Sequence, residues 1–399
     1  MEDKMSYDFS FVNRKNTDSL KFDFTKERGH KEDCLSYWVA DMDFKTAPEI
    51  LEAVHERVNH GIFGYTNIKS HYFEAVSAWM KNHHQYEVKR EWLIETPGVV
   101  FALATAIKAF TKEGDAVLIQ TPVYYPFKNV IVKNDRKVVT SPLVWKKDEN
   151  GFGNYSVDYE DFEKNIVDNN VKLFLLCNPH NPGGKTWKKD ELLKIAEICL
   201  KHNVKVVSDE IHADFVWKPN THTVFASLSK EVEKITVTCT SPSKSFNLAG
   251  LQVSNIFIAD ENLRKAFWLE RDRTGYDEPS VLGLTACEAA YTRGEKWFSE
   301  AYDFISSNLE FAVDYINTKS NGLLKCLKPD ATYLLWIDCS ALPYDDAELN
   351  RRITEDGNLW LDPGNIFGKE GEKFQRINVA TSREYLEKGL EALVKVLLA

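Results

Sequence analysis

No run of five like charges occurs anywhere in the 399 residues, and acidic side chains outnumber basic ones, 60 to 50. A formal net charge of −10 argues against the basic, clustered footprint of a nucleic-acid binder. It leaves acidic small-molecule substrates open, because pocket charge and net charge are separate quantities. No apolar stretch approaches the ~18 residues of a membrane span. The opening Met1-Glu2-Asp3-Lys4-Met5-Ser6 contains no apolar signal segment. The seven cysteines include no Cys-x-x-Cys pair, and Cys177, Cys199, Cys239 and Cys339 sit in apolar runs. Free buried thiols in a reducing cytoplasm fit that pattern better than disulfides or a metal site. Neither an internal repeat nor a low-complexity segment is present.

What is present is enough for a large domain and a smaller one: hydrophobic residues make up 43% and charged residues 28%. The middle third alternates apolar β-type runs (116–120, 172–177, 204–208, 235–239, 254–259) with helical spacing, as over 190–200. The runs are apolar throughout rather than alternating, which predicts strands covered on both faces in a largely parallel sheet. From about Trp297 the rhythm changes to a long amphipathic stretch, strand-like runs at 333–337 and 376–380, and a helix from about Glu384. The expected division is a large α/β domain over 46–284 and a small α+β domain built from 1–45 and 285–399.

Four stretches then fall in a fixed order: Asn181-Pro182-Gly183-Gly184, Ser208-Asp209-Glu210-Ile211-His212, Ser241-Pro242-Ser243-Lys244-Ser245-Phe246-Asn247 and Arg376-Ile377-Asn378. Taken alone, each has a plain reading: a turn, a helix cap, an exposed lysine, a salt-bridged arginine. Together they offer what a pyridoxal-phosphate ring and its substrate need. Lys244, past a strand end, is an amine that desolvation can make nucleophilic. Asp209, at the carboxyl end of a strand, can face a pyridine nitrogen. Asn181 can donate to a ring hydroxyl. Arg376, in an apolar strand, needs a partner such as a substrate carboxylate. Gly98, Val99 and Val100 open a helical stretch, and Ser241 and Ser243 add hydroxyls, so all five are candidate phosphate donors. Tyr124 and Tyr125 follow the strand at 116–120, where an aromatic ring can stack on a flat cofactor or simply pack in the core. His212 follows Asp209 by three residues, and a satisfied buried histidine is its plainer reading.

The chain resembles the fold-type I, pyridoxal-phosphate-dependent enzymes of the class I/II aminotransferase superfamily, and within them the cystathionine β-lyase and cystalysin-like C–S lyase branch. The residues that carry the closer match are Trp38-Val39-Ala40-Asp41-Met42-Asp43-Phe44, Gly64-Tyr65-Thr66, Thr96-Pro97-Gly98-Val99-Val100, Thr121-Pro122-Val123-Tyr124-Tyr125-Pro126-Phe127, Asp209-Glu210-Ile211-His212 and 242–250. The likeness runs from about Tyr7 to the C-terminus. It implies an α/β fold with a mostly parallel sheet of the seven-stranded type. It implies Lys244 as the lysine that carries the cofactor, Asp209 as the pyridine partner, Asn181 and His212 near the ring hydroxyl, and Tyr124 as the stacking ring. Gly98, Val99, Val100, Ser241 and Ser243 would hold the phosphate. Arg376, Tyr125 and Val39 would contact an amino-acid substrate. Tyr65 would reach the cofactor of a neighbouring subunit in a homodimer. Two departures stand out: many aminotransferases carry tyrosine where this chain has His212, and arginine where it has Gln252. The implied activity is cleavage of L-cystathionine, cysteine or related S-substituted cysteines to a thiol, pyruvate and ammonia. An aminotransferase, or a lyase with a regulatory protein-binding role, is the alternative.

Overall fold

The computed structural model describes residues 6–399; Met1–Met5, most of the opening stretch read above, lie outside the described residues. Seven strands make the central sheet: β1 Leu93–Thr96, β2 Ala116–Thr121, β3 Lys137–Pro142, β4 Leu173–Cys177, β5 Lys205–Asp209, β6 Thr236–Thr240 and β7 Ser254–Ile258. Their order is β1-β7-β6-β5-β4-β2-β3. All neighbours run parallel except β7, which is antiparallel to both β1 and β6. Every residue of β2, β4, β6 and β7 is buried, as a sheet covered on both faces requires. Side-chain alternation divides the two faces. Val117, Ile119, Leu175 and Val207 meet Ala102, Leu103 and Ala106 of the helix Val99–Phe110. Leu118, Phe174 and Val206 meet Leu192, Ile195 and Cys199 of the helix Lys189–Lys201. Each such large side chain withdrawn from water contributes roughly 1.5–3 kcal/mol.

The five apolar runs read from the sequence are strands β2, β4, β5, β6 and β7 to within a residue or two. The strands β1 and β3 were not expected. They are the sheet's two edges, and β3 alternates exposed with buried positions, so neither presents the continuous apolar run of a central strand.

A second sheet follows: β8 Leu334–Asp338, β9 Asp362–Pro363 and β10 Phe374–Asn378, in the antiparallel order β8-β10-β9. The helix Glu295–Lys319 lays Trp297, Ala301, Ile305, Leu309, Ala312 and Ile316 against it and against Leu386, Leu390 and Leu393 of the terminal helix Arg383–Leu398. Spacing of three and four residues puts those side chains on one helical face. The same core takes in Phe9, Tyr37, Met42 and Phe44 from the N-terminal segment. Among the described residues, no helix is long and apolar enough to cross a membrane, and all seven cysteines are buried free thiols.

Residues 37–43 run beside β10 and are tied to it. The Asn378 Nδ2 amide donates to the carbonyls of Val39 and Asp41, at 2.7 Å each, and its Oδ1 accepts from the Ala380 N–H at 2.8 Å. Asn378→Ala strands two buried carbonyls, at about 1–3 kcal/mol. It should lower the urea midpoint and raise amide exchange over 38–42 before the rest of the chain. Uniform exchange would detach Asn378 from that role.

Candidate active site

Parallel strands bring their carboxyl ends to one edge of the sheet, where ligand crevices form. Asp209 is the last residue of β5, Asn181 lies just past β4, Tyr124 just past β2, Gly98 just past β1 and Lys244 just past β6. Ser241 caps the short helix Pro242–Ser245 by accepting the Ser243 N–H at 3.1 Å, and so sets the turn that carries Lys244. A cavity of about 430 Å³ opens on this edge. Gly98, Val99, Val100, Tyr124, Tyr125, Asn181, Asp209, His212, Ser241, Ser243, Lys244, Arg376 and Val39 all line it. Tyr65 does not: it is 94% exposed, in a segment without regular structure beside exposed Ile62 and Phe63.

The electrostatics follow from burial. The Lys244 Nζ donates to the Ala40 carbonyl at 2.7 Å. Burial drives its pKa down to about 8; Asp41 and Asp209 draw it up and Arg376 pushes it further down. Asp209 is buried with one hydrogen bond to its carboxylate, from the Ile211 N–H at 3.1 Å. Burial raises its pKa to about 7, against the pull of that bond and of Lys244. Burial, then the charges of Lys244 and Arg376, hold His212 well below the usual histidine range. Its Nδ1 is buried without a partner.

Arg376, only 3% exposed, donates through Nη1 to Asn181 Oδ1 at 2.8 Å and through Nη2 to the Trp38 carbonyl at 3.0 Å and to the Asp362 carboxylate. With the Asn181 oxygen so held, its Nδ2 is left as a donor. The Ser241 hydroxyl donates to the Val253 carbonyl at 2.7 Å, whereas the Ser243 hydroxyl has no partner among the described residues. Gln252, at the position where an arginine is common, lines the cavity and donates to the Ala249 carbonyl at 3.3 Å.

Sequence reasoning passed over Asp362, Tyr333 and Asp214. Asp362 is a carboxylate directly after the apolar run Leu359–Leu361, a placement that calls for a buried cation; that signal was available. The Tyr333 hydroxyl donates to the same Ala40 carbonyl as Lys244, at 3.0 Å. Asp214 takes the hydroxyl of Ser245, next to Lys244, together with His84 Nε2 at 2.7 Å and Trp79 Nε1 at 3.0 Å. These partners come from distant segments, and spacing alone did not reveal them.

A buried amine of lowered pKa, a buried carboxylate lacking a full counter-charge and a buried guanidinium, gathered at the strand ends of an α/β sheet, define a pocket for amino-acid chemistry on a flat, anionic cofactor. The chain belongs to the aminotransferase class I and II family, whose family model matches residues 35–393. It is 44% identical to the cystathionine β-lyase PatB of Bacillus subtilis, over 95% of this chain and 97% of that protein. Among solved structures it is similar to cystalysin from Treponema denticola, which contains pyridoxal 5′-phosphate, with TM-score 0.93, 37% identity and 98% and 99% of the two chains covered. A pyridoxal-phosphate-bound structure from Clostridium difficile 630 matches with TM-score 0.94 and 44% identity, over 98% of this chain and 100% of that one.

The Asp209 geometry generates a pH prediction for the protein freed of cofactor. Its folded pKa, about 7, lies above the unfolded value, so the folded state holds a proton that the unfolded state has lost. Stability should therefore fall as pH rises from about 4 to about 7. Asp209→Asn should remove that part of the slope, worth on the order of 4 kcal/mol. Urea midpoints of both proteins across this range are the check; parallel profiles would mean that the carboxylate is not desolvated.

Proposed function

We propose that the protein is a pyridoxal-phosphate-dependent C–S β-lyase, splitting L-cystathionine, cysteine or related S-substituted cysteines into a thiol, pyruvate and ammonia. The observation that carries this reading is one cavity lined by Lys244, Asp209, Asn181 and Arg376, in a chain 44% identical to a cystathionine β-lyase. The donor set fits the cofactor. Asp209, a buried carboxylate with a single backbone donor, lacks the counter-charge that a protonated ring nitrogen would bring. Asn181 Nδ2 would donate to the ring hydroxyl, and Tyr124 would cover the ring. The amides of the first turn after Gly98, with the Ser243 hydroxyl, would take the phosphate. Ser241 would serve by capping rather than by donating its own hydroxyl.

Bound there, pyridoxal phosphate supplies an electron sink that makes the α-hydrogen of an amino acid acidic. Arg376 offers the α-carboxylate a planar cation and so orients the α-carbon toward Lys244. Lys244 Nζ, with a pKa of about 8, accepts the α-proton near neutral pH and returns a proton to the departing thiolate. Water then completes the balance: thioether plus water gives thiol, pyruvate and ammonium.

Two wider features belong to the same proposal. Residues 46–284 form the large domain and 1–45 with 285–399 the small one; the seven-stranded sheet lies within the first range and the three-stranded sheet within the second. Copies pair so that Tyr65 of one reaches the cavity of the other, which fits an exposed tyrosine beside exposed Ile62 and Phe63. Seven buried free thiols suit a cytoplasmic location.

The test is product. Cystathionine should release thiol and pyruvate with no keto acid added, and Lys244→Ala should abolish this by orders of magnitude. Conversion of cystathionine to its 2-oxo acid with the C–S bond intact, only when a keto acid is supplied to take the amino group, would make the protein an aminotransferase, the activity in the family's description. A second measurement isolates Arg376. Arg376→Lys keeps the charge and loses the planar fork. It should lower kcat/KM for cystathionine and cysteine alike, by about tenfold or more. A loss confined to one of them would move Arg376 to the distal end of the substrate.

A further inference from the structure

Arg28 closes the short turn Lys26–Arg28, and Gly29 leaves that turn in the left-handed region at φ 82°. Its neighbour Lys26 pairs with Glu32. Arg28 instead lies over the Trp38 ring, 5.1 Å from its centroid, and pairs with no carboxylate among the described residues. Trp38 also stacks on Trp360, at 4.5 Å and 15°. Trp360 in turn stacks on His30 at 4.1 Å. The turn is thus tied to this aromatic group at two points, by Arg28 on Trp38 and by His30 on Trp360. Trp38 lines the cavity, with Val39 and Tyr125. Burial raises the Tyr125 phenol, the Asp362 charge adds to this, and Arg376 and Arg28 draw it back. Arg28 therefore stands within electrostatic range of the cavity wall.

Two arginines bear on this wall, Arg376 from within the cavity and Arg28 through Trp38, and they differ. Arg376 is deep and already bonded to Asn181, Asp362 and the Trp38 carbonyl. Arg28 is exposed and has its hydrogen-bonding edge free. With the α-carboxylate of a thioether at Arg376, its sulfur substituent would meet the cavity wall that Trp38 and Tyr125 line. A carboxylate on that substituent would lose hydration against aromatic rings unless a cation met it. A guanidinium resting on an indole is suited to this, being weakly hydrated and held by the ring.

We propose that Arg28 is a specificity residue: seated on Trp38, it reads a carboxylate on the leaving-thiol half of the substrate and favours thioethers that carry a distal carboxylate. This rests on the lyase reading, and the experiment separates the two. The loaded enzyme and its Arg28→Gln and Arg28→Glu variants are assayed with cystathionine, S-(2-carboxyethyl)-L-cysteine and S-propyl-L-cysteine, the last lacking the distal charge. Arg28→Gln should lower kcat/KM for the two carboxylated substrates by about fivefold, the scale of a partly exposed ion pair, and leave S-propylcysteine nearly unchanged. Arg28→Glu should lower the first two further, and about 0.5 M salt should shrink the difference between wild type and variants. Calorimetry gives a readout free of turnover: 2,7-diaminooctanedioate, the all-carbon analogue of cystathionine, should bind more weakly to Arg28→Gln, whereas 2-aminoheptanoate should not. Equal losses for charged and neutral ligands, or no loss for the charged ones, would overturn the role of Arg28. Absence of pyruvate from all three thioethers with the wild type would instead sink the lyase reading, and calorimetry would still decide on Arg28.

Discussion

The Arg376 guanidinium is where three separately folded parts of the chain meet. It reaches Asn181 on a loop of the central sheet, Asp362 on the second sheet and the Trp38 carbonyl on the N-terminal segment. A buried arginine needs partners for its donors, and each of these takes one from the Nη groups, while Nε stays buried without a partner among the described residues. Breaking a buried pair by removing one member is far costlier than the pair's net worth, because a bare charge remains. The node therefore constrains geometry more than it adds stability. The Asn181 amide cannot rotate without releasing Arg376, and the segment over the cavity cannot lift without exposing that same cation. Charge satisfaction at one residue thereby sets the orientation of a second and the closure of the whole site.

Burial then acts in opposite senses on the two groups that face each other across the cavity. It lowers Lys244 to about 8 and raises Asp209 to about 7, so each is displaced toward its neutral form. Neither shift needs a special neighbour; both come from the same withdrawal of water. A lysine near neutrality is useful for moving protons. A carboxylate kept from full ionisation is poised to gain a cationic partner, and its unfavourable burial is relieved when one arrives.

The fold was readable from the sequence where physics is local and repetitive. Continuous apolar runs located β2, β4, β5, β6 and β7, and periodic spacing located the long helices. The edge strands β1 and β3 were not, because β3 is half-exposed and β1, though buried, is four residues long and ends in Glu95-Thr96, so each carries a weaker pattern. The cavity-lining residues were legible because chemistry demanded particular groups at strand ends. Asp214, Tyr333 and the Ala40 carbonyl were not, since a backbone acceptor has no residue signature and Asp214 finds its partners near residues 79, 84 and 245. Tyr65 lay at the limit of such reasoning: its expected reach is to a second copy, and in the single chain it stands in solvent.

The N-terminal segment also explains why Lys244 is not more strongly depressed. Asp41 follows Ala40, the residue whose carbonyl receives Lys244 Nζ. Burial would raise Asp41, but Lys21 and Arg14 together hold it below the usual carboxylate range, with Arg14 at 2.7 Å and Lys21 at 3.5 Å. Lys244 thus lies between two carboxylates whose environments push them apart, the arrangement that separates roles among like groups. Asp41 stays ionised and gives Lys244 a constant counter-charge from above. Asp209 changes charge near neutrality and answers to whatever binds below. Without Asp41, the repulsion of Arg376 on Lys244 would be opposed by Asp209 alone, and the Lys244 pKa would fall further. The ion cluster of Arg14, Lys21, Asp41 and Asp43 therefore helps, with Asp209, to keep the amine able to hold a proton as well as to take one.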